Sequence, residues 1–497
     1  MDLKKKILIG AAIAAIAAPC AMKAQDDLKF MRSSIYTILV NSDDQNTRLD
    51  QEASETDPQG YKATLAEAGV ENLGSIPKTV FPSVAIPEQF NDHNLEARII
   101  DFDALKGGIS EAEAKAARPK GGGGGKFMKA LGGAALAAAT GSSGSTMLRV
   151  EPVDDYMHAV VNKFLADNKV AEYMVAKWYN YDENGTPKFN TNVIQERGLD
   201  NASGEEMSQA AANDEYRAML SSQGFQLLNN TFVVATNLRF RNNKALAKEI
   251  SDMAGGVAAA AANNMGALGG LAALGAKKGT EAMVNGLMKD MYSVTAVTNL
   301  YKLEWNDSID MALSDKVLYN ENATLQDLLD SGCCRLTYLG QTKARSGVKK
   351  DKNKSLAELA ASATARAMDK ALAKLQVENE VFRTTVPVSK CENGFLYAKI
   401  GTKEGVNPGD EYEILEQQMD PKTNRIVYKK VGSAKVEKDV WFNTTGAEEL
   451  IANADEKEAA QMKAAQELGY TTLKAGKKND FSGYYLRLSK KKGKIED

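Results

Sequence analysis

The chain has 497 residues, 43% hydrophobic and 26% charged, with a formal net charge of −3. That length supports several ordinary domains with sizeable cores, and the mildly acidic balance gives no electrostatic reason to bind nucleic acid. Only 2 histidines and 4 cysteines are present, which excludes His-rich metal chemistry, zinc fingers and a disulfide scaffold.

Residues 1–24 read as a secretory signal peptide. Lys4, Lys5 and Lys6 precede an apolar run from Ile7 to Ala18, too short to span a bilayer. Cleavage is expected after Ala24. Cys20 follows Ala17-Ala18-Pro19, and the proline there disfavours a lipoprotein. The mature chain is expected in the periplasm or associated with an outer membrane. It keeps Cys333, Cys334 and Cys391. A bridge from Cys334 to Cys391 and three unbridged buried thiols both fit an oxidising compartment.

Residues 25–119 form an N-terminal extended or β segment. Ser34–Val40 reads as a strand, rich in β-branched residues. Two prolines within Phe81–Pro87 favour an extended path, and His93 reads as a surface or loop residue. Residues 120–146 are a Gly/Ala/Ser-rich linker or insert.

Residues 147–380 read as a central α+β domain. Helical spacing of apolar residues covers Asp154–Asp167 and Ala171–Tyr179. A capping box at Ser203–Glu206 opens a helix running toward Leu228. Thr231–Phe240 and Ser293–Trp305 read as neighbouring strands, each with a Thr-Asn-Leu core at 236–238 and 298–300. Between them lies a Gly/Ala-rich insert, 252–280, uncharged from Met253 to Ala276. Glycine, alanine and the pair Asn263-Asn264 argue against a membrane span. Gly266 and Gly270, and likewise Gly275 and Gly279, stand four apart and form a candidate association motif. A strand over 334–345 and a Lys-rich linker, 349–354, come next. Ser355 and Glu358 then form a second capping box. The helix behind it places Leu359, Ala363, Ala367, Ala371 and Leu375 on one stripe, suited to close packing.

Residues 381–497 read as a small β-barrel with a basic tail. Turn-rich segments separate strands at Phe395–Ile400, Glu411–Leu415, Ile426–Val431 and Ala434–Val440. A helix from Ala447 to Leu468 follows, and Tyr484–Leu488 returns to close the barrel. The run Lys490–Lys494 reads as a solvated tail, with an anionic surface as its sharper alternative.

Familiar catalytic patterns are missing from the sequence: no nucleophile elbow, P-loop, HExxH or CxxC occurs. A Ser or Cys triad would need His93 or His158 as base. Asn180–Gly185 mimics the start of an EF-hand loop, but its twelfth position is Thr191 rather than glutamate. A plain turn at Asn184-Gly185 is expected. Asp307-Ser308-Ile309 matches a periplasmic O-glycosylation pattern, which makes Ser308 a candidate acceptor. No catalytic, cofactor or metal residue is assigned.

Several segments together resemble a family of uncharacterised exported proteins of Bacteroidota. They are Met31–Tyr36, Ile86-Pro87 with Phe90–Asn94, Val175–Trp178, Glu196–Gly198 and Asn230–Val234. That resemblance implies export but no activity. Leu396–Gly401, Glu404–Val406 and Gly409-Asp410 resemble the SH3-like β-barrel that ends the flagellar assembly protein T group. The chain departs from that pattern at Phe481-Ser482-Gly483, where Pro-Gly would precede the last strand. The resulting expectation is an α+β, multidomain envelope protein. Its central mixed helix/sheet domain carries the Gly/Ala-rich insert, and its C-terminal barrel is SH3-like. It is expected to be a non-enzymatic scaffold or adaptor without cofactor, binding an envelope protein or itself, with peripheral membrane contact as an option. The alternative is a self-associating, membrane-proximal assembly component using the Gly/Ala insert.

Overall fold

The computed structural model describes residues 32–56, 58–68, 72–117, 152–181, 189–200, 211–213, 224–242, 291–349, 354–420, 425–477, 479–493 and 495. The signal peptide, the 120–146 linker, the Ser203–Glu206 box and the 252–280 insert with its four glycines lie outside these residues. The fold is α+β with two sheets.

The first sheet is six-stranded. Strand β1 (Ser33–Asn41) is buried along its whole length, as its β-branched run predicts. On one side it pairs in parallel with β2 (Phe90–Asp92) and β3 (Ile99–Asp101), and on the other with β4 (Thr231–Asn242). Then β5 (Met291–Glu304) and β6 (Arg335–Lys349) follow antiparallel. The N-terminal strands therefore share one sheet with those of the central region. The repeated Thr-Asn-Leu cores cross one another, with Thr236 opposite Thr298 and their hydroxyls 3.1 Å apart.

Helices cover both faces. On one face Tyr36, Ile38, Val233 and Tyr301 pack under α6 (Pro152–Asp167) and α7 (Val170–Trp178). The same layer holds α8 (Asn192–Asp200), α9 (Asp307–Leu313) and α10 (Leu325–Asp330). A π-helical turn, Ser314–Leu318, continues α9. Five helices precede these among the described residues: α1 (Asp43–Thr56), α2 (Pro58–Ala68), α3 (Ile76–Val80), α4 (Phe102–Lys106) and α5 (Glu111–Ala117). Phe81–Pro87 corrects the extended reading at its start. Phe81–Ser83 is a 3-10 turn that continues α3, because Pro82 fits the first turn of a helix, and only 84–87 run without helix.

The other face is covered by α11 (Leu356–Glu378), opened by the expected capping box of Ser355 and Glu358. Its stripe Leu359, Ala363, Ala367 and Ala371 packs on Val294, Ala296, Ala344 and Val348 of β5 and β6, and Leu375 packs on Phe232 and Leu300. Alanines on the stripe let the helix approach the sheet closely. The same helix aims three cations at the end strand. Arg366, Lys370 and Lys374 donate to the carbonyls of Gly347, Arg345 and Lys343, at 3.0, 3.2 and 3.0 Å. Four helical residues advance about 6 Å and two strand residues about 6.8 Å, so the spacings match. Cations directed at an end strand cover a backbone that would otherwise pair with another chain. Replacing both Lys370 and Lys374 by alanine is expected to make sedimentation more concentration-dependent than in the parent chain.

The second sheet has seven strands in the order β7-β13-β10-β11-β12-β9-β8. They are β7 (Thr385–Pro387), β8 (Lys390–Glu392), β9 (Phe395–Ala398), β10 (Glu411–Asp420), β11 (Arg425–Val436), β12 (Thr471–Ala475) and β13 (Tyr485–Lys490). The two end strands, β7 and β8, are successive pieces of one chain. Between them Val388 N–H bonds Tyr484 O and Ser389 N–H bonds Tyr397 O, so the sheet curls around its core. The expected strands at 426–431 and 434–440 are one strand instead. Gly432 and Ser433 pair with Ile414 and Glu413 rather than forming a turn, and the register shift between Ile414 and Leu415 leaves Val431 as a bulge. The expected 447–468 helix is two, α12 (Ala447–Asn453) and α13 (Glu456–Glu467). Asp455 caps the second through Glu458 N–H.

Candidate functional site

Five of the segments singled out in the sequence meet at the start of the first sheet, beside the layer that holds α6 and α7. Ser34 N–H bonds Asn230 O, and His93 N–H bonds Ile35 O, which places both segments beside β1. His93 lies in the loop after β2, as one of its two readings has it, but it is buried rather than on the surface. Its imidazole stacks on Trp178 with centroids 5.0 Å apart, and its Nε2 lies 3.0 Å from Met174 O. Trp178 donates its indole N–H to Thr231 Oγ1 at 3.0 Å. The Arg197 guanidinium lies over the Trp178 ring, 4.7 Å from its centroid. Lys177 Nζ donates to Asn94 O. A buried imidazole, an indole and a guanidinium thus tie together three stretches of chain that are far apart in sequence.

This cluster is a fastener. Its side chains are bonded or stacked on one another, and burial with Lys177 and Arg197 nearby pushes the His93 imidazole down to about 3. His93 therefore stays neutral in the fold, whereas an unfolded chain titrates near its ordinary value of about 6.5. The stabilisation is present in full above pH about 6.5 and is lost as pH falls from there toward 3. By pH 5 the loss reaches about 2 kcal/mol. Burial shifts Glu172, Asp369 and Glu404 upward, so those carboxyls act in the opposite sense, favouring the fold at low pH and losing that effect as pH rises. His93→Phe keeps the stacking surface, and urea melts at pH 7.5 and 5.0 should show a smaller acid loss than in the parent chain.

His158 is also engaged. Its Nδ1 lies 3.0 Å from Tyr301 Oη, its Nε2 lies 3.1 Å from Asn162, and Tyr338 packs edge-on at 4.1 Å. Burial lowers its pKa. Asn180, the first residue of the EF-hand-like run, gives its Oδ1 to Arg197 at 2.8 Å; residues 182–188 lie outside the described ones. Among the described residues no group of three or more His, Cys, Asp or Glu side chains could hold a metal ion.

Cys333, Cys334 and Cys391 are free thiols. The structure does not bring the proposed pair together. Cys334 is buried in the first-sheet core, where burial pushes its thiol up, while Cys391 packs in the second sheet beside Asn479 and Phe481. Ser308 is exposed at the start of α9, where Asn306 caps the helix through Ser308 and Ile309 N–H. It lines an open cleft of about 720 Å³ between α9, the end of β5 and the approach to β6.

The comparisons with known proteins add nothing to this geometry. No protein-family model and no curated protein matches this chain. Among the described residues no helix is long and apolar enough to cross a membrane.

The lysine run at the C-terminus is not a solvated tail along its described length. Lys491 Nζ bonds Asp410 Oδ2 at 2.5 Å and the Gly405 carbonyl, and Lys492 N–H bonds Asp410 Oδ1 at 2.8 Å. Asp410 is fully buried. On the outer face of the curled sheet the side chains alternate. Leu396 and Ala398 fill the core while Phe395 and Tyr397 stay half-exposed. Tyr397 packs edge-on against Tyr470 at 5.1 Å, and Lys390 lies over its ring. Sequence reading missed this pair because it joins a residue of β9 to one just before β12, distant in sequence, and neither sits in a distinctive motif.

Proposed function

We propose that this is an exported, multidomain cell-envelope protein that works as a non-enzymatic scaffold or adaptor. Its C-terminal region is an SH3-like barrel that binds an envelope protein. The observation that carries the reading is the outer face of the curled sheet. The inside is filled by Leu396, Ala398, Ile414, Leu473 and Leu486, leaving recognition to the outside. There Tyr397, Tyr470 and Lys390 offer aromatic surface with a cation beside it, a composition suited to protein recognition. The engagement of both histidines in structural contacts supports the non-enzymatic part.

The test is affinity capture from envelope extract, followed by binding of the purified candidate to the parent chain and to the Tyr397→Ala, Tyr470→Ala variant. A partner whose binding weakens about tenfold or more in the variant supports the reading. Failure to recover a partner that binds when purified, or equal binding by the folded variant, overturns it.

A further inference from the structure

The cleft beside α9 is lined by hydrogen-bond donors that the fold leaves unused. The side chains of Asn229, Ser308 and Arg335 line it and make no hydrogen bond or ion pair. The wall also holds Trp305, which is 5% exposed and whose indole N–H has no partner. A buried N–H without an acceptor is uncommon in a folded protein and costs stability until something accepts from it. The acceptors at the cleft are partly used: Glu304 takes the Thr337 hydroxyl, the Asn306 side-chain oxygen caps α9, and Asp307 is engaged. The unused donors favour a ligand that brings acceptors. Ile309 and Ala312 supply apolar wall beside these donors. Its volume of about 720 Å³ is that of a small-ligand site.

We infer that this cleft binds the carboxyl terminus of a peptide, with the carboxylate on Arg335 and the neighbouring donors and the last side chain, an apolar one, against Ile309 and Ala312. A guanidinium is suited to this role because it can hold a carboxylate through two parallel bonds. An apolar last residue matches the wall better than a sugar acid, whose hydroxyls would face Ile309 and Ala312. The proposal goes beyond the adaptor reading, since the cleft belongs to the first sheet and the aromatic pair to the second.

The test is calorimetric titration of the mature chain with N-acetyl-Ala-Ala-Leu as free acid, the same peptide as C-terminal amide, and glucuronate. The expected result is saturable binding of the free acid, about tenfold or more tighter than the amide. Arg335→Met should abolish the preference for the acid, and Arg335→Lys should keep part of it. Arg335 is exposed, so the unfolding midpoint of both variants should match the parent and show that they fold. Equal binding of acid and amide, tighter binding of glucuronate, no binding of the acid, or an unchanged preference in folded Arg335→Met would each overturn the proposal.

Discussion

Arg366→Met is expected to lower the unfolding free energy by about 3–5 kcal/mol, the cost of leaving a buried charge without its partner. The side chain of Arg366 is 3% exposed and that of Glu449 is 1% exposed. The guanidinium joins three elements. Its Nε bonds Ser346 Oγ at 3.1 Å, and one Nη2 reaches both Gly347 O at 3.0 Å and Glu449 Oε1 at 3.3 Å. Nη1 bonds Thr445 O at 3.3 Å. The first two partners belong to β6 and the others to the chain around α12, so one side chain of α11 fastens the two sheets' surroundings together. Gly446 completes the fit. Its φ of +70° favours glycine, and a Cβ there would lie 2.7 Å from Arg366 Nη1. Glu449→Gln should cost less, because an amide oxygen still accepts from the guanidinium while the second carboxylate oxygen, unpartnered in the fold, becomes a donor. Chemical unfolding of the two single variants and the double variant gives the coupling directly. A coupling near zero would show that Arg366 acts through its carbonyl partners alone.

What could be read from the sequence was what neighbours in the chain decide. β1 follows from its β-branched run, and α11 from a capping box and a stripe repeating every four residues. The pairing of β4 with β5 follows from their length and shared motif. What could not be read depends on partners far away. His93 sits among polar neighbours in sequence, yet Trp178 and Met174, more than 80 residues later, bury it. Gly432-Ser433 looks like a turn in isolation, whereas pairing with Ile414 and Glu413 of β10 holds it in line, with the bulge at Val431. The unused donors of the α9 cleft come from separate stretches of chain, and nothing in any one stretch shows that they converge without partners. The segments at 31–36, 90–94, 175–178, 196–198 and 230–234 are far apart in sequence, and that they form one interlocked cluster is visible only in three dimensions.

Asp410→Ala is expected to destabilise the chain by about 3–5 kcal/mol and to release the described C-terminal residues from the curled sheet. The carboxylate is 0% exposed and takes the Lys491 ammonium, Lys492 N–H and Asn407 N–H, the last two both at 2.8 Å. Removing it strands the two backbone donors and leaves the Lys491 ammonium, its side chain only 12% exposed, with the Gly405 carbonyl but no counter-charge. The turn before it is built to deliver it, since Gly409 has a φ of +87°. Asp410→Asn keeps the shape and one acceptor but removes the charge, so its loss should be smaller. Lys491→Met strands the carboxylate instead, with two amides still bonded to it. Combining Asp410→Asn with Lys491→Met removes both charges, and the pair should recover part of the sum of the single losses. Urea unfolding measures these energies, and limited proteolysis after Lys490 and Lys491 reads the release separately. Strict additivity, or a C-terminus as protected in Asp410→Ala as in the parent, would mean that Ile495 beside Gly405, rather than the buried ion pair, holds the tail.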